Sequence, residues 1–171
     1  MAEGADLVVA LGANLGDPAR TLPRAAEALA ALGGVEARSR IYRTTPVGGP
    51  PDQPDYLNAV VRLRAGPGAA TPEAALAGLL AIEVRFGRER RVRHDARTLD
   101  LDLIAYGGVV RASPTLTLPH PETMRRAFVL VPLLDVAPDW RDPRSGVRAA
   151  DAVAALDRSG VTASGVAWGP G

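Results

Sequence analysis

The chain has 171 residues, 47% of them apolar, a formal net charge of +1 and no cysteine. That length supports one domain with a sizeable core, the apolar content argues against disorder, and the near-neutral charge points to neither a nucleic acid nor an acidic partner. The missing cysteines exclude a disulfide scaffold, zinc–thiolate sites and a cysteine nucleophile, and the absence of lysine among the 20 basic residues closes the Walker-type route to nucleotide binding.

Met1 to Asp6 is acidic and lacks the layout of a signal peptide, and no run reaches the ~18–20 apolar residues of a membrane span, so a cytoplasmic protein is expected. Leu7 to Leu11 is a continuous apolar run and predicts a buried central strand. Gly12-Ala13-Asn14-Leu15-Gly16 ends it. Asp17 then caps and Pro18 opens a helix, with Leu22, Ala25, Leu29 and Leu32 at helical spacing and Gly33-Gly34 as its stop. From Val35 to Arg43 the pattern alternates, placing Val35, Ala37, Ser39 and Ile41 on one face of a second strand. Thr44 to Pro54 is a long proline- and glycine-rich loop, of the kind that is often functional. A third strand starts at Asp55-Tyr56-Leu57-Asn58. Leu57, Ala59, Val61 and Leu63 face one way, and Tyr56, Asn58, Val60 and Arg62 the other. The Asn58 amide, with two donors and an acceptor, can pair with the edge of a heterocycle, but alone this is a weak signal, because Asn and Tyr are common on the surface at strand ends. After a Gly/Pro turn, Thr71 caps and Pro72 opens a second helix, with Leu76, Leu79, Leu80 and Glu83 along its axis and Phe86-Gly87 at its end.

Arg97-Thr98-Leu99-Asp100-Leu101-Asp102-Leu103-Ile104 reads as a fourth strand, leucines on one face and aspartates on the other. Same-face residues two apart lie ~6.5–7 Å apart. Two carboxylates so placed suit Mg²⁺, which takes one or two carboxylates plus substrate phosphates. The solvated face of a half-exposed strand is the other reading of this segment, although Asp is a poor strand former. Upstream, Arg88, Arg90, Arg91, Arg93 and Arg97 stand against two acids, Glu89 and Asp95. Arginine forks bind phosphate oxygens in pairs, so such a loop suits a phosphate clamp; for Arg90, Arg91 and Arg93 a solvated charge run fits equally well. Tyr106-Gly107-Gly108-Val109 predicts a two-residue hairpin with a short return strand before Leu118. His120, taken alone, reads as a surface or core residue. Phe128, Val129, Leu130, Val131, Leu133 and Leu134 form an apolar helix with Pro132 in its first turn. Ala149 to Leu156 is a small amphipathic helix, and the Gly/Ala/Ser tail from about residue 160 is expected to be loosely held.

No repeat or linker divides the chain, so residues 1–171 are read as one domain. The order β-α-β-β-α-β plus a C-terminal helical extension is α+β, the ferredoxin-like split arrangement on an antiparallel sheet. Many functions share that fold, so activity must rest on the site.

Four blocks carry a resemblance: Gly12 to Gly16, Arg97 to Leu103, Leu118-Pro119-His120-Pro121, and Arg126-Ala127-Phe128-Val129-Leu130 followed by Pro132-Leu133. Together, in this order, they closely resemble 6-hydroxymethyl-7,8-dihydropterin pyrophosphokinase, a family of folate biosynthesis. The resemblance runs from Leu11 to Trp140. It implies further helices on the other face of the sheet, giving three layers. It implies Mg²⁺-dependent transfer of pyrophosphate from ATP to the hydroxymethyl group of the reduced pterin, releasing AMP. Asp100 and Asp102 would hold two Mg²⁺, with Arg88 and Arg97 neutralising the triphosphate. Leu103, Thr117, His120 and Arg126 would join those arginines at the nucleotide. Asn58, Tyr56 and Phe128 would take the pterin, with Thr44, Thr45 and Val47 lining its pocket. Two departures stand out. Thr45-Pro46 replaces the family's usual two prolines, and His94-Asp95-Ala96 stands where many members carry Trp-Gly-Pro, in a loop one residue shorter. His94 is the candidate to cover the ring in place of Trp. The implied partners are ATP and reduced pterin, with neither nucleic acid nor membrane, and a monomer is expected. An RNA-binding reading of the same fold would want stacking aromatics where this chain has Leu101 and Asp102. A pterin binder without catalysis would have no use for the carboxylate pair.

Overall fold

The order of elements follows from where alternation, capping residues and glycines fall in the structure, a computed structural model that describes residues 4–45, 54–87 and 99–169. The apolar run becomes β1 (Asp6–Ala13). Leu7, Val9 and Leu11 pack into one core and Val8 into a second, as a strand buried on both faces requires. α1 (Pro18–Ala28) begins at the proline, as expected, but the Asp17 side chain makes no capping bond. The Asp17 carbonyl instead accepts from the N–H groups of Arg20 (3.1 Å) and Thr21 (2.9 Å).

The second predicted strand is two. β2 (Gly33–Arg38) and β3 (Tyr42–Thr44) both pair with β4 (Tyr56–Ala65). Val35 lies opposite Leu63 and Ala37 opposite Arg62, so Glu36 is an extra residue. This bulge reverses the faces: Val35 joins the core with Leu63, and Ala37 the opposite one. At Ser39 the chain leaves the β2 ladder. Its N–H donates to the Val60 carbonyl (2.8 Å) and its Oγ accepts from the Val60 N–H (2.9 Å). Along β4 the predicted faces hold, with Leu57, Ala59, Val61 and Leu63 in one core and Val60 in the other.

In α2 (Pro72–Arg85) the Thr71 side chain accepts from the Ala74 N–H at 3.1 Å, a true N-cap. Leu80, read as part of the apolar stripe, is 44% exposed, and Ile82 is buried in the stripe instead. Gly78 faces Leu32, whose side-chain tip would have to move to admit a Cβ there. β5 (Asp100–Tyr106) carries the aspartates. The turn after it closes from the Val109 N–H to the Tyr106 carbonyl. The return strand β6 (Arg111–Ala112) then pairs with β7 (Thr117–Leu118) and not with β5, so the predicted hairpin is a separate two-stranded ribbon. α3 (Ala127–Val136) holds Pro132 at its sixth residue, beyond the first turn. α4 (Ala149–Ala154) and β8 (Val161–Ala163) follow.

The main sheet runs β5-β1-β4-β3-β8, with β2 also on β4, and its pairs are antiparallel. α1 and α2 cover one face and α3 and α4 the other. This is the ferredoxin-like core in three layers. The tail from 160 is tied to the sheet: β8 pairs with β3, Ser164 Oγ donates to the Ile41 carbonyl (2.7 Å), and Trp168 Nε1 donates to the Ser39 carbonyl (2.8 Å).

One polar contact joins α3 to β3. The Tyr42 hydroxyl donates to Asp135 Oδ2 at 2.7 Å, and the Arg40 N–H donates to the same oxygen at 3.1 Å. Burial, with the Asp135 bond behind it, pushes the Tyr42 hydroxyl up to about 12. Burial acts to raise the Asp135 carboxyl, but the Tyr42 and Arg40 donors outweigh it and hold it below the ordinary aspartate range. A depressed carboxyl stabilises the fold above its unfolded value and loses that contribution as pH falls through the folded one. Asp135→Asn is therefore expected to cost about 1–2 kcal/mol at pH 7 and to flatten the acid-side loss of stability, measured by urea melts from pH 7 to pH 3.

Candidate functional site

Register decides which side chains meet. Asp100 lies opposite Gly12, and Gly12 opposite Asn58; one step along, Asp102 lies opposite Ala10, and Ala10 opposite Val60. Cross-strand partners share a face, so the two aspartates and Asn58 all look toward the α3 side. Neighbouring strands lie ~4.8 Å apart, which puts the carboxylate and amide backbones ~10 Å apart across β1. Gly12 and Ala10 between them form a low floor. Above it opens a cleft of about 820 Å³, walled by the start of α3, the end of β3 and the segment before β8.

Asn58 is 7% exposed, and its Nδ2 donates to Thr44 Oγ1 at 3.1 Å. Its Oδ1 lies over Gly12, 3.2 Å from where a Cβ would stand. At the other end, a second bulge shapes the carboxylate site. Val8 pairs with Ala105 and Val9 with Leu103, so Ile104 is the extra residue of β5. The Ile104 carbonyl accepts from the His120 N–H at 2.9 Å, which brings the imidazole beside Asp102, with Nε2 4.0 Å from Oδ1. His120 Nδ1 accepts from the Glu122 N–H at 3.2 Å, so the neutral ring carries its proton on Nε2, facing Asp102. Burial lowers the His120 pKa, with Arg126 adding to that effect and Asp102 and Glu122 opposing it. The Arg126 guanidinium stands 5.6 Å from the centre of the Phe128 ring, a cation–π distance.

Of the sequence-predicted residues, Thr44, Thr45, Tyr56, Asn58, Asp100, Asp102, Arg126 and Phe128 line this cleft, and His120 adjoins it. Leu103 does not reach it, because its side chain is buried in the α1/α2 core on the opposite face of β5. Thr117 sits on β7, paired with Ala112, and does not line the cleft. Arg88, Arg97, His94 and Val47, with Arg90, Arg91 and Arg93, lie outside the described residues. The sequence reading missed Arg125 and the stretch from Asp157 to Val161. One signal was available: Asp157-x-Ser159 is an Asx turn, its Oδ1 accepting from the Ser159 N–H at 2.9 Å. The Thr45 N–H donates to the Gly160 carbonyl (3.2 Å), which fastens that segment to the end of β3.

Asp100 and Asp102 are half-buried at the cleft wall. No group of three or more His, Cys, Asp or Glu side chains gathers as a metal site among the described residues. Hard carboxylate oxygens facing a roomy cleft fit Mg²⁺, which fills its remaining positions with water and substrate phosphates, and fit a soft or fully caged metal poorly.

The family model described as 7,8-dihydro-6-hydroxymethylpterin-pyrophosphokinase (HPPK) matches residues 8–138. A Synechocystis 2-amino-4-hydroxy-6-hydroxymethyldihydropteridine pyrophosphokinase is 48% identical over 141 residues, covering 81% of this chain and 70% of that one. Its namesake from Methylorubrum extorquens is 43% identical over 153 residues, 88% and 93% of the two chains. Among solved structures, Plasmodium falciparum HPPK-DHPS with pteroate superposes with a TM-score of 0.72 at 11% identity, over 90% of this chain and 45% of that one. The chain thus spans less than half of that longer protein, and this likeness is one of fold.

The His120 surroundings lead to a prediction. By NMR, its imidazole is expected in the Nε2–H form when neutral and to titrate below the ordinary ~6.5; Asp102→Asn should lower that midpoint further and Arg126→Ala should raise it.

Proposed function

Because this chain belongs to the 7,8-dihydro-6-hydroxymethylpterin pyrophosphokinase family, we propose that it uses ATP and Mg²⁺ to pyrophosphorylate the hydroxymethyl group of 6-hydroxymethyl-7,8-dihydropterin, releasing AMP. Membership makes it an ATP-dependent diphosphotransferase of folate biosynthesis. The observation that carries the finer reading is the cross-strand row Asp100–Gly12–Asn58: carboxylates for a metal-bound triphosphate at one end of a single cleft, an amide for a flat heterocycle at the other, and a floor of small residues between.

Asn58 and the backbone of Thr44, Thr45 and Val47 take the polar edge of the pterin, while Tyr56 and Phe128 stack on its faces and His94 covers it. Asp100 and Asp102 hold two Mg²⁺. Bound there, the metal neutralises triphosphate charge and lowers the pKa of the acceptor hydroxyl. The acceptor oxygen bonds to the β-phosphorus, the bond from that phosphorus to the α–β bridging oxygen breaks, AMP leaves with that oxygen, and the hydroxyl proton passes to solvent. Arg88 and Arg97 neutralise the phosphates, and Arg126 and His120 orient them. Thr117 and the backbone of Leu103 serve the nucleotide beyond the cleft itself, which neither of them lines. Such catalysis is chiefly positioning and charge stabilisation. The proposed enzyme is a cytoplasmic monomer of one domain, with ATP and reduced pterin as partners and neither nucleic acid nor membrane; no helix among the described residues is long and apolar enough to cross one.

AMP release from ATP, Mg²⁺ and 6-hydroxymethyl-7,8-dihydropterin tests this reading. Release is expected only with pterin present, and Asp102→Ala should reduce it about 10²–10³-fold or more. A folded wild type that forms no AMP would overturn it. Gly12→Ala sets a Cβ 3.2 Å from Asn58 Oδ1. By calorimetry it should weaken pterin binding about tenfold while leaving the melting temperature nearly unchanged.

A further inference from the structure

We infer that Glu83, a residue outside the cleft, positions the two aspartates by holding the peptide between them. Glu83 lies near the C-terminal end of α2 and is 2% exposed. A buried carboxylate is costly unless its oxygens are bonded. Its Oε2 accepts from the Leu101 N–H at 2.8 Å. β5 ends the sheet order, so the N–H groups on its outer edge have no strand to pair with. Leu101 itself stands between Asp100 and Asp102, and its side chain is buried. A bond to its N–H fixes the plane of the Asp100–Leu101 peptide. That plane carries the Cα of Asp100 and that of Leu101, whose buried side chain anchors the strand where it runs on into Asp102.

Glu83 also occupies a strategic place in the chain order. α2 ends at Arg85, and the chain returns at Leu99 to enter β5. One side chain thus ties the last turn of the helix to the first turn-in of the strand. The other acid on α2, Glu73, lies in the first turn and pairs with Arg111 near the surface. A residue needed only to fill the α2–β5 interface would be apolar, as Leu79 and Ile82 are beside it. An acceptor oxygen for the Leu101 N–H is what an apolar residue here would lack.

This inference rests on the proposed role of Asp100 and Asp102 as metal carboxylates, and it makes Glu83 a positioning residue. Groups that orient metal ligands typically control metal affinity by ~10–100-fold. The test compares wild type with Glu83→Gln, which keeps an acceptor oxygen at the same reach, and with Glu83→Asp, which withdraws it by one methylene. The readouts are amide hydrogen exchange at Leu101, Mn²⁺ binding in the presence of ATP, the Mg²⁺ dependence of AMP release, and pterin affinity. Glu83→Asp is expected to speed Leu101 exchange and to raise the half-saturating Mg²⁺ and the Mn²⁺ dissociation constant about tenfold, with pterin affinity unchanged. Glu83→Gln should restore all of these to within about threefold of wild type. Equal damage from the two variants, or a Glu83→Asp protein with unaltered metal dependence, would overturn the inference. So would an unprotected Leu101 amide in the wild type, a result that needs no variant to fold. Wild type that neither forms AMP nor binds Mn²⁺ would instead sink the reading of the aspartates, and this inference with it.

Discussion

Everything in the structure depends on β1 being buried on both faces. Its odd positions, Leu7, Val9 and Leu11, belong to the α1/α2 core, and Val8 belongs to the α3/α4 core. Burial on both sides sets its place in the middle of the sheet, with β4 on one side and β5 on the other. The same strand then changes character along its length. Toward its end the residues on the α3 face shrink to Ala10 and Gly12, and the sheet that excluded solvent at Val8 opens into a cleft. Core and site are consecutive stretches of one alternating strand, separated by two residues' worth of side-chain volume.

The parts visible in the sequence were those governed by local period. The continuous apolar run of β1, the alternation of β4, the Thr71-Pro72 helix start and the Leu/Asp pattern of β5 each depend on neighbours within a few residues, and each came through. What failed depended on partners distant in the chain. The bulge at Glu36 is a matter of how β2 fits β4, and it splits a stretch whose own pattern reads as one strand. The two-stranded ribbon after β5 arises because residues 111–112 find residues 117–118 instead of returning to the sheet. Spacing alone puts Leu80 in the buried stripe, whereas the turn of α2 against the sheet selects Leu79 and Ile82.

The candidate site divides along the same line. Asp100, Asp102 and Asn58 could be chosen because each lies on a strand whose faces the sequence defines, and register then brings them together. The wall between Asp157 and Val161 offers only a turn signal, because its small and polar residues carry no burial pattern and its place is set by a hydrogen bond from Thr45 and by pairing with β3. Leu103 shows the opposite case. Its neighbours belong to the site, yet alternation turns its own side chain into the core.

The bulge at Ile104 acts as a phase joint in β5. Before it, the strand is in step with the cleft, with Asp100 and Asp102 on the α3 face; after it, the side chains are reset, and Tyr106 returns to the α1/α2 core with its hydroxyl donating to the Ala69 carbonyl at 2.7 Å. Because a slip of one residue exchanges the two faces of a strand, the two halves of β5 bear length changes unequally. A residue gained or lost near Tyr106 has an irregularity close by in which to be absorbed, and the carboxylates keep their aim. The same change between Asp100 and Asp102 falls inside the pair itself and would turn one of the two acids into the core. The reading frame of the site is thus uncoupled from the length of the strand beyond it.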